Sequence, residues 1–571
     1  MQAIARLRLL KDLVGANILP VVALQSVAEC AVCARGLNRS ITRQSFRVNS
    51  RYVASCPAVD QPAWLHTAQD HISLHYKPYS PCVDGNSFPE YLQMPVTKPT
   101  HLTYIVKKCK ELAVVSINRT SSRLAADDFF TSIHTLLQQH QHMHQSKFYS
   151  ACASAAIHVA ETAQAKGIWC WDLTTHLVEK LCDQLVPHHA QTNGFSAVNM
   201  LQALAKCQLQ HGSIPQHCLD NTAELVLQAG QSITQQGWSL AAWACASLHQ
   251  RHQPTRYHPL LDELAKRAVG WLTGVIKLQH IATIIWSMAR SQYLPSEELL
   301  LHFTDAACDQ AQDFLPHAAQ DIEMLFLGYA WLGYPPHAHA RQTLMQHFLR
   351  QSLQGYQAAN MAWSLAVLGT LDMPAFRSLL THITQHDLGN TKISRQLHFA
   401  AEFLRPQTGA DSGSEEWHQL VEKLHLSWPV QPTTEKPTRR LHTEVLAVLR
   451  EGLGLECHKN VPIAREHDHS LFSVDILIER QPGIPCDIAV EADGPQVFMH
   501  NQPEGTRHLG PSMFRDAILR RHVPCLLTIP YSEWPGQGFH ASTLYLQNKL
   551  RVEVQRLNGQ DEPVVDSLDW S

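Results

Sequence analysis

The residues best equipped for chemistry lie near the end of the chain. Val490-Glu491-Ala492-Asp493-Gly494-Pro495 carries two carboxylates two positions apart, and Asp475 interrupts the apolar run from Leu471 to Ile478. Grouped carboxylates can bind a hard cation and activate water. An acid inside an apolar strand otherwise costs energy unless it is paired. Arg515, on a helical run downstream, is the nearby cation that could meet a phosphate.

Four elements must position these groups. Residues 484 to 492 alternate small or apolar with polar side chains, as a half-buried strand does, and Asp-Gly-Pro ends it. Glu491 and Asp493 therefore leave one face of that strand. Residues 471 to 478 read as a second strand with Asp475 at its middle. Arg515 to Arg521 reads as a helix, and Pro524 to Pro530 as a short apolar strand closing on proline. Strand, strand, helix and strand make a small α/β module, which the amphipathic helix from Arg439 to Leu453 opens.

Residues 490 to 549 resemble the RAP domain, a module found at the C-terminus of organellar RNA factors. The matching residues are Val-Glu-x-Asp-Gly-Pro-x-x-Phe from Val490 to Phe498 (Glu491, Asp493, Gly494, Pro495, Phe498), a basic residue before Ile518-Leu519, Ile529-Pro530-Tyr531 with Trp534, and the closing Tyr545-Leu546 and Leu550. The chain departs from the family in having Val497 where His is usual and Arg515 where Lys is usual. It also lacks a glycine near His522 and Val523. The RAP domain is in turn similar to the PD-(D/E)xK nuclease fold, whose metal-dependent members hold Mg²⁺ between an Asp on one strand and a Glu on the next. That resemblance implies Asp475 and Glu491 as metal ligands, Glu444 on the preceding helix as a helper and Arg515 as the cation. The nuclease motif's Lys falls on Asp493, an anion in place of a cation, and this argues against cleavage.

The whole chain is 571 residues with 45% hydrophobic and 17% charged residues, enough for several globular domains. Its formal net charge of -4 means that any phosphate-binding surface must be a local patch. Fifteen cysteines follow no repeated spacing, and the close pair Cys30 and Cys33 lacks partners for a zinc site, so the thiols read as reduced, buried side chains. Among thirty-six histidines, the clusters His140 to His144 and His188-His189 read as solvated faces.

The first fifty residues set Arg6, Arg8, Lys11, Arg35, Arg39, Arg43 and Arg47 against Asp12 and Glu29 alone, the balance of a mitochondrial or chloroplast transit peptide. We place a disordered transit peptide at 1–55 and a Pro-rich linker at 56–100. No stretch is apolar and long enough to span a bilayer; the best, Ile18 to Ala31, contains Gln25, Ser26 and Glu29. Asp127-Asp128 reads as a helix start ahead of an apolar stripe.

A segment is then written six times, and Gln202, Trp243, Trp286, Leu327, Trp363 and Phe399 are its equivalent points. The period of about 36 to 43 residues fits paired helices, and a stack of such pairs is an α-solenoid, here over 101–408. Small residues let the helices approach, and Trp243, Trp286 and Trp363 are expected in the core between repeats. A linker at 409–438 around a short helix (Trp417 to Leu426), the α/β domain at 439–557 and a tail at 558–571 complete the chain. The predicted fold class is mostly α: a helical-hairpin solenoid followed by a small α/β module. That combination resembles the octotricopeptide-repeat proteins of algal organelles and, more loosely, FAST kinase-like mitochondrial proteins.

The expected function is that of an organellar RNA-binding factor in transcript processing, stability or translation. The solenoid holds single-stranded RNA along an extended surface, and the terminal module adds a contact or recruits an RNA-processing protein or ribonuclease. Two alternatives stand beside it: a Mg²⁺-dependent RNA endonuclease using Asp475 and Glu491, and a protein-binding scaffold. No cofactor is expected outside the nuclease alternative.

Overall fold

The computed structural model describes Leu92, Val96 and residues 98–405 and 440–557, apart from 122, 141–144, 186–191, 213, 250–253, 274–275, 312–317, 464–471, 504 and 537. The leader, most of the Pro-rich linker, Cys30 and Cys33, His142, His144, His188 and His189, the 409–438 linker with its short helix, and the tail lie outside the described residues.

Helices alternate between two layers. The first contains α1 (Pro99–Thr120), α3 (Ser146–Ala165), α5 (Gly194–Gln210), α7 (Gln235–His249), α9 (Leu278–Arg290), α11 (Ala318–Leu332), α13 (Gly355–Val367) and α15 (Thr391–Leu404). The second contains α2 (Arg123–Gln139), α4 (Trp171–Leu185), α6 (Gln216–Gln228), α8 (His258–Val269), α10 (Glu297–Ala311), α12 (Ala338–Leu349) and α14 (Met373–Leu380). Each first-layer helix lies flush against the next, whereas second-layer helices touch their successors sparsely. Composition explains the difference. First-layer helices repeat Ala, Ser and Gly at their contacts, and Gly328 is so close to Ile285 and Trp286 that a Cβ would come within 2.8 Å of Ile285. Breaks between helices fall at left-handed residues such as Gly212, Gly333 and Gly369, which end α5, α11 and α13 without strain.

Two local expectations need correction. Helix α2 begins at Arg123, so Asp127 and Asp128 sit in its second turn, with Asp127 3.5 Å from Arg123. Of the three repeat tryptophans, Trp243 is core at 5% exposure, but Trp286 and Trp363 are half-buried. Trp286 and Trp363 pack against the solenoid core while keeping part of their side chains exposed.

After the solenoid come α16 (Arg440–Ala447), extended by a wider turn at Val448–Gly452, then β1 (Cys457–Ile463), β2 (Phe472–Ile478), β3 (Ile488–Asp493), α17 (Gly510–His522), β4 (Cys525–Pro530) and α18 (Phe539–Leu557). The sheet order is β1-β2-β3-β4; β1 to β3 form an antiparallel meander, and β4 lies parallel to β3 after the α17 crossover. All six residues of β3 are buried, as a central strand requires. The sequence reading omitted β1. It is a polar edge strand, with His458, Lys459, a left-handed Asn460 and Pro462, the devices that protect an edge from further pairing.

The α/β module is packed directly on the solenoid. Met499, Leu509, Phe514 and Ile518 belong to the solenoid's own core cluster. Phe514 lies between Phe399 and Phe403 of α15, with ring centroids 6.4 and 6.2 Å away. Gly510 sits against the carbonyl of Ala330, where a Cβ would be only 1.8 Å from the oxygen. The left-handed Gln292 reaches across: its Nε2 donates to the carbonyls of Gln496 (2.7 Å) and Phe498 (3.1 Å), and its own carbonyl accepts from the His500 amide at 2.7 Å. Asn501 clasps both the N–H and the C=O of Leu294, at 2.7 Å each.

Candidate functional site

Strand register brings the predicted acids together. Ile476 pairs with Val490 and Glu491 with Thr528, so Asp475 on β2 and Glu491 on β3 are neighbours in the sheet. Their side chains interlock with the backbone: Ala492 N–H donates to Asp475 Oδ2 (3.1 Å), and Asp475 N–H donates to Glu491 Oε1 (3.3 Å). Asp493 leaves the same face as Glu491.

Arg515 stands over that face from α17. Its guanidinium is 3.2 Å from Glu491, 3.1 Å from Asp493 and 3.0 Å from Asp516. The other Asp493 oxygen pairs with His508 Nε2 at 3.0 Å, and Asp475 pairs with His442 Nε2, also at 3.0 Å. Glu491, Asp493 and Asp516 are 1%, 2% and 5% exposed. Asp493 thus ties the strand to Arg515 of α17 and to His508.

Burial and charge divide these acids. Burial pushes Glu491 well above the ordinary range, against the pull of Arg515, and neighbouring Asp475, Asp516 and Asp493 add to the rise. Burial likewise raises Asp516. Burial also works against Asp475 and Asp493, but His442 in the first case, and His508 with Arg515 in the second, hold them below the usual range. Three buried carboxylates share one guanidinium, and a buried charge needs such pairing to be tolerated.

A Mg²⁺ ion needs open carboxylate oxygens at about 2.1 Å. Here Asp475 Oδ2 is taken by His442 and an amide, and both Glu491 oxygens are taken, by the Asp475 amide and by Arg515. With these oxygens engaged, the donor set does not fit the metal that the nuclease resemblance implies. Glu444 is not part of the cluster: it pairs with Arg440 (2.6 Å) and accepts from the Trp534 indole (2.9 Å).

The remaining motif residues build the frame. Gly494 and Pro495 turn β3 into the short helical turn Pro495–Val497. Phe498 is 1% exposed, with its ring 4.2 Å from His508 and 5.7 Å from Tyr531. Ile529 is core, Pro530 pairs with Asp493 at the strand end, and Trp534 packs edge-on to Tyr545. Sequence reasoning missed His442, His508 and Asp516. A signal existed for Asp516, next to Arg515 on the helix; none marked the two histidines, which come from loop and helix positions distant in sequence.

A second polar surface lies on the solenoid. Along α9 the half-buried residues Gln279, Thr283, Trp286 and Arg290 recur at helical spacing down one side. At the equivalent spacing lie Phe195, Asn199, Gln202 and Lys206 on α5; Gln320, Met324, Leu327 and Trp331 on α11; and Tyr356, Asn360, Trp363 and Val367 on α13, of which Lys206, Met324, Asn360 and Val367 are buried and Phe195 is exposed. Residue types along this spacing change from one repeat to the next. Arg290 lies 5.5 Å above the Trp331 ring and Arg395 5.4 Å above Phe399. Burial alone acts on each guanidinium, and no carboxylate pairs with either among the described residues.

No protein-family model matches the chain. It is 24% identical over 345 residues to a "RAP domain-containing protein, chloroplastic" of Oryza sativa subsp. japonica. This chain is similar to a RAP domain-containing protein. The alignment covers 59% of this chain and 49% of the rice protein, so the chain spans about half the length of that relative. Among solved structures, a circular tandem repeat protein with novel repeat topology aligns at 11% identity over 58% of this chain and 96% of its own, with a TM-score of 0.21. In the RAP-like module, the matched acids and Arg515 are the closed ion cluster just described, and the RAP-like turn carries the Gln292 and Asn501 contacts to the solenoid.

Proposed function

We propose that this protein is an organellar RNA-binding factor that holds single-stranded RNA along the open stripe of its first-layer helices, with the RAP-like module as a fixed adjunct. The observation that carries this reading is the stripe itself. Its half-buried positions offer amides at Gln202, Gln279 and Gln320, aromatic rings at Trp286, Trp331 and Trp363, and a cation at Arg290. Amides can hydrogen-bond base edges, aromatic rings can stack on bases, and guanidiniums lacking an internal acid suit phosphates. The rice relative's printed description, with "RAP domain-containing" and "chloroplastic", supports an organellar, RNA-associated role. Transcript processing, stability or translation is the class of work this binding serves.

The RAP-like module binds or recruits without cutting, because Arg515 and His442 engage the carboxylates a metal would need and Asp493 stands at the place of the motif's Lys. Cross-linking the tagged protein to RNA in cells, and sequencing what it holds, tests the main reading. Enrichment of organellar transcripts is the expected outcome; RNA recovery no greater than from an untagged control overturns it. Purified protein with Mg²⁺ and a bound single strand tests the second statement. Cleavage lost in both Asp475→Ala and Glu491→Ala overturns it.

A further inference from the structure

The second layer contains a cluster that the proposed RNA-binding stripe, on the first-layer helices, does not include. Asp183 lies near the end of α4, and His217 and Cys218 in the first turn of α6, so the three residues belong to adjoining repeats. Their ligand atoms converge: Cys218 Sγ to His217 Nε2 is 3.4 Å, Cys218 Sγ to Asp183 Oδ1 is 3.8 Å, and His217 Nε2 to Asp183 Oδ1 is 3.5 Å. These lengths are the edges of a coordination polyhedron. Zinc bonds of about 2.0–2.3 Å at tetrahedral angles set ligand atoms roughly 3.3–3.6 Å apart.

We propose that Asp183, His217 and Cys218 form a zinc-binding site that staples α4 to α6. The donor set selects the metal class. Thiolate, imidazole and carboxylate together suit a borderline-soft ion such as Zn²⁺ and not the hard, oxygen-seeking Mg²⁺ or Ca²⁺. Asp183 and His217 are exposed, so the ion has a path in and the fourth position takes water, while Cys218 is buried beneath. On binding, a sulfur–metal bond forms and the thiol proton passes to solvent. Glu179, one turn before Asp183 on α4, is close enough for its charge to act on Cys218, and it adds negative potential that favours a cation. The staple also answers a structural need, since second-layer helices pack more sparsely on their successors than first-layer helices do.

The test is zinc per chain in the purified full-length protein after dialysis against a weak chelator, for the parent, His217→Gln and Cys218→Ser. Each variant is expected to hold one equivalent fewer than the parent. Replacing zinc with Co²⁺ should give a thiolate-to-cobalt charge-transfer absorption that Cys218→Ser abolishes. If Cys218→Ser fails to fold, His217→Gln, altered at an exposed side chain, carries the stoichiometry test alone. Equal metal content in parent and His217→Gln, or a parent that retains no zinc, overturns the proposal.

Discussion

Arg515 and Arg290 are the same residue type in opposite circumstances. In the RAP-like module, Arg515 sits among Glu491, Asp493 and Asp516, and its one charge is answered inside the protein. On the solenoid, Arg290 lies over Trp331 with no acid beside it among the described residues. A charge balanced internally is committed to holding the fold; a half-buried guanidinium without an acid leaves its donors available to an anion from outside. The acidic motif that looks most like chemistry is therefore the closed region, and the plain helical repeats are the open one.

Substituting each arginine by Met tests that contrast most sharply. Arg515→Met leaves three buried carboxylates without their cation and should cost about 3–5 kcal/mol, read by denaturant unfolding. Arg290→Met keeps the stem over Trp331 and should change stability by about 0.5 kcal/mol, while weakening RNA binding and flattening its salt dependence. Equal losses of stability would erase the distinction.

The tryptophans divide the solenoid in the same way. Trp243→Ala, at a core position, should cost about 3–5 kcal/mol through the cavity it leaves. Trp286→Ala and Trp363→Ala should instead show their main effect in binding, at about 1–3 kcal/mol per stacked base, measured by fluorescence anisotropy on a single strand. A pure stability loss at all three would return the stripe to the core.

The sequence revealed the periodic features and missed the convergent ones. Repeated Ala-rich helices and the alternation around Val490 announce themselves, because burial imposes a period on residue type. The role of Trp286 was misread since Trp suits both a core and a half-open groove, and periodicity cannot say which side of a helix stays uncovered. Asp475 and Glu491 were found because an acid in an apolar strand is conspicuous. His442 and His508, which pair two of the acids, carry no such mark. Gln292 was equally silent: its importance comes from a left-handed backbone and from carbonyls about two hundred positions away, at Gln496 and Phe498.

That contact sets the next prediction. Gln292→Ala strands the buried Phe498 carbonyl and the part-buried Gln496 carbonyl at the seam and should cost about 1–3 kcal/mol. Hydrogen exchange should rise first at the amides of His500 and Leu294, which the seam protects. Unchanged protection there would mean that the Phe514 contact with α15 fixes the module unaided.

The smallest effect is one of pH, and it separates two acids within a single cluster. Asp493 is held low in the folded state, so its contribution to stability is present above its unfolded value of about 3.9 and is lost as pH falls through the lower folded value. Glu491 is raised, so the sign reverses. Its contribution is complete below an unfolded value of about 4.3 and is lost as pH rises through a folded value above the ordinary glutamate range. Glu491→Gln supplies a neutral group of the same shape and should remove the decline on the alkaline side of that window. Asp493→Asn should remove the decline on the acid side. Unfolding midpoints across the pH range would show the two slopes changing in opposite senses. If both substitutions flattened the same limb, Arg515 would not be dividing its charge between the strand's two carboxylates as the geometry implies.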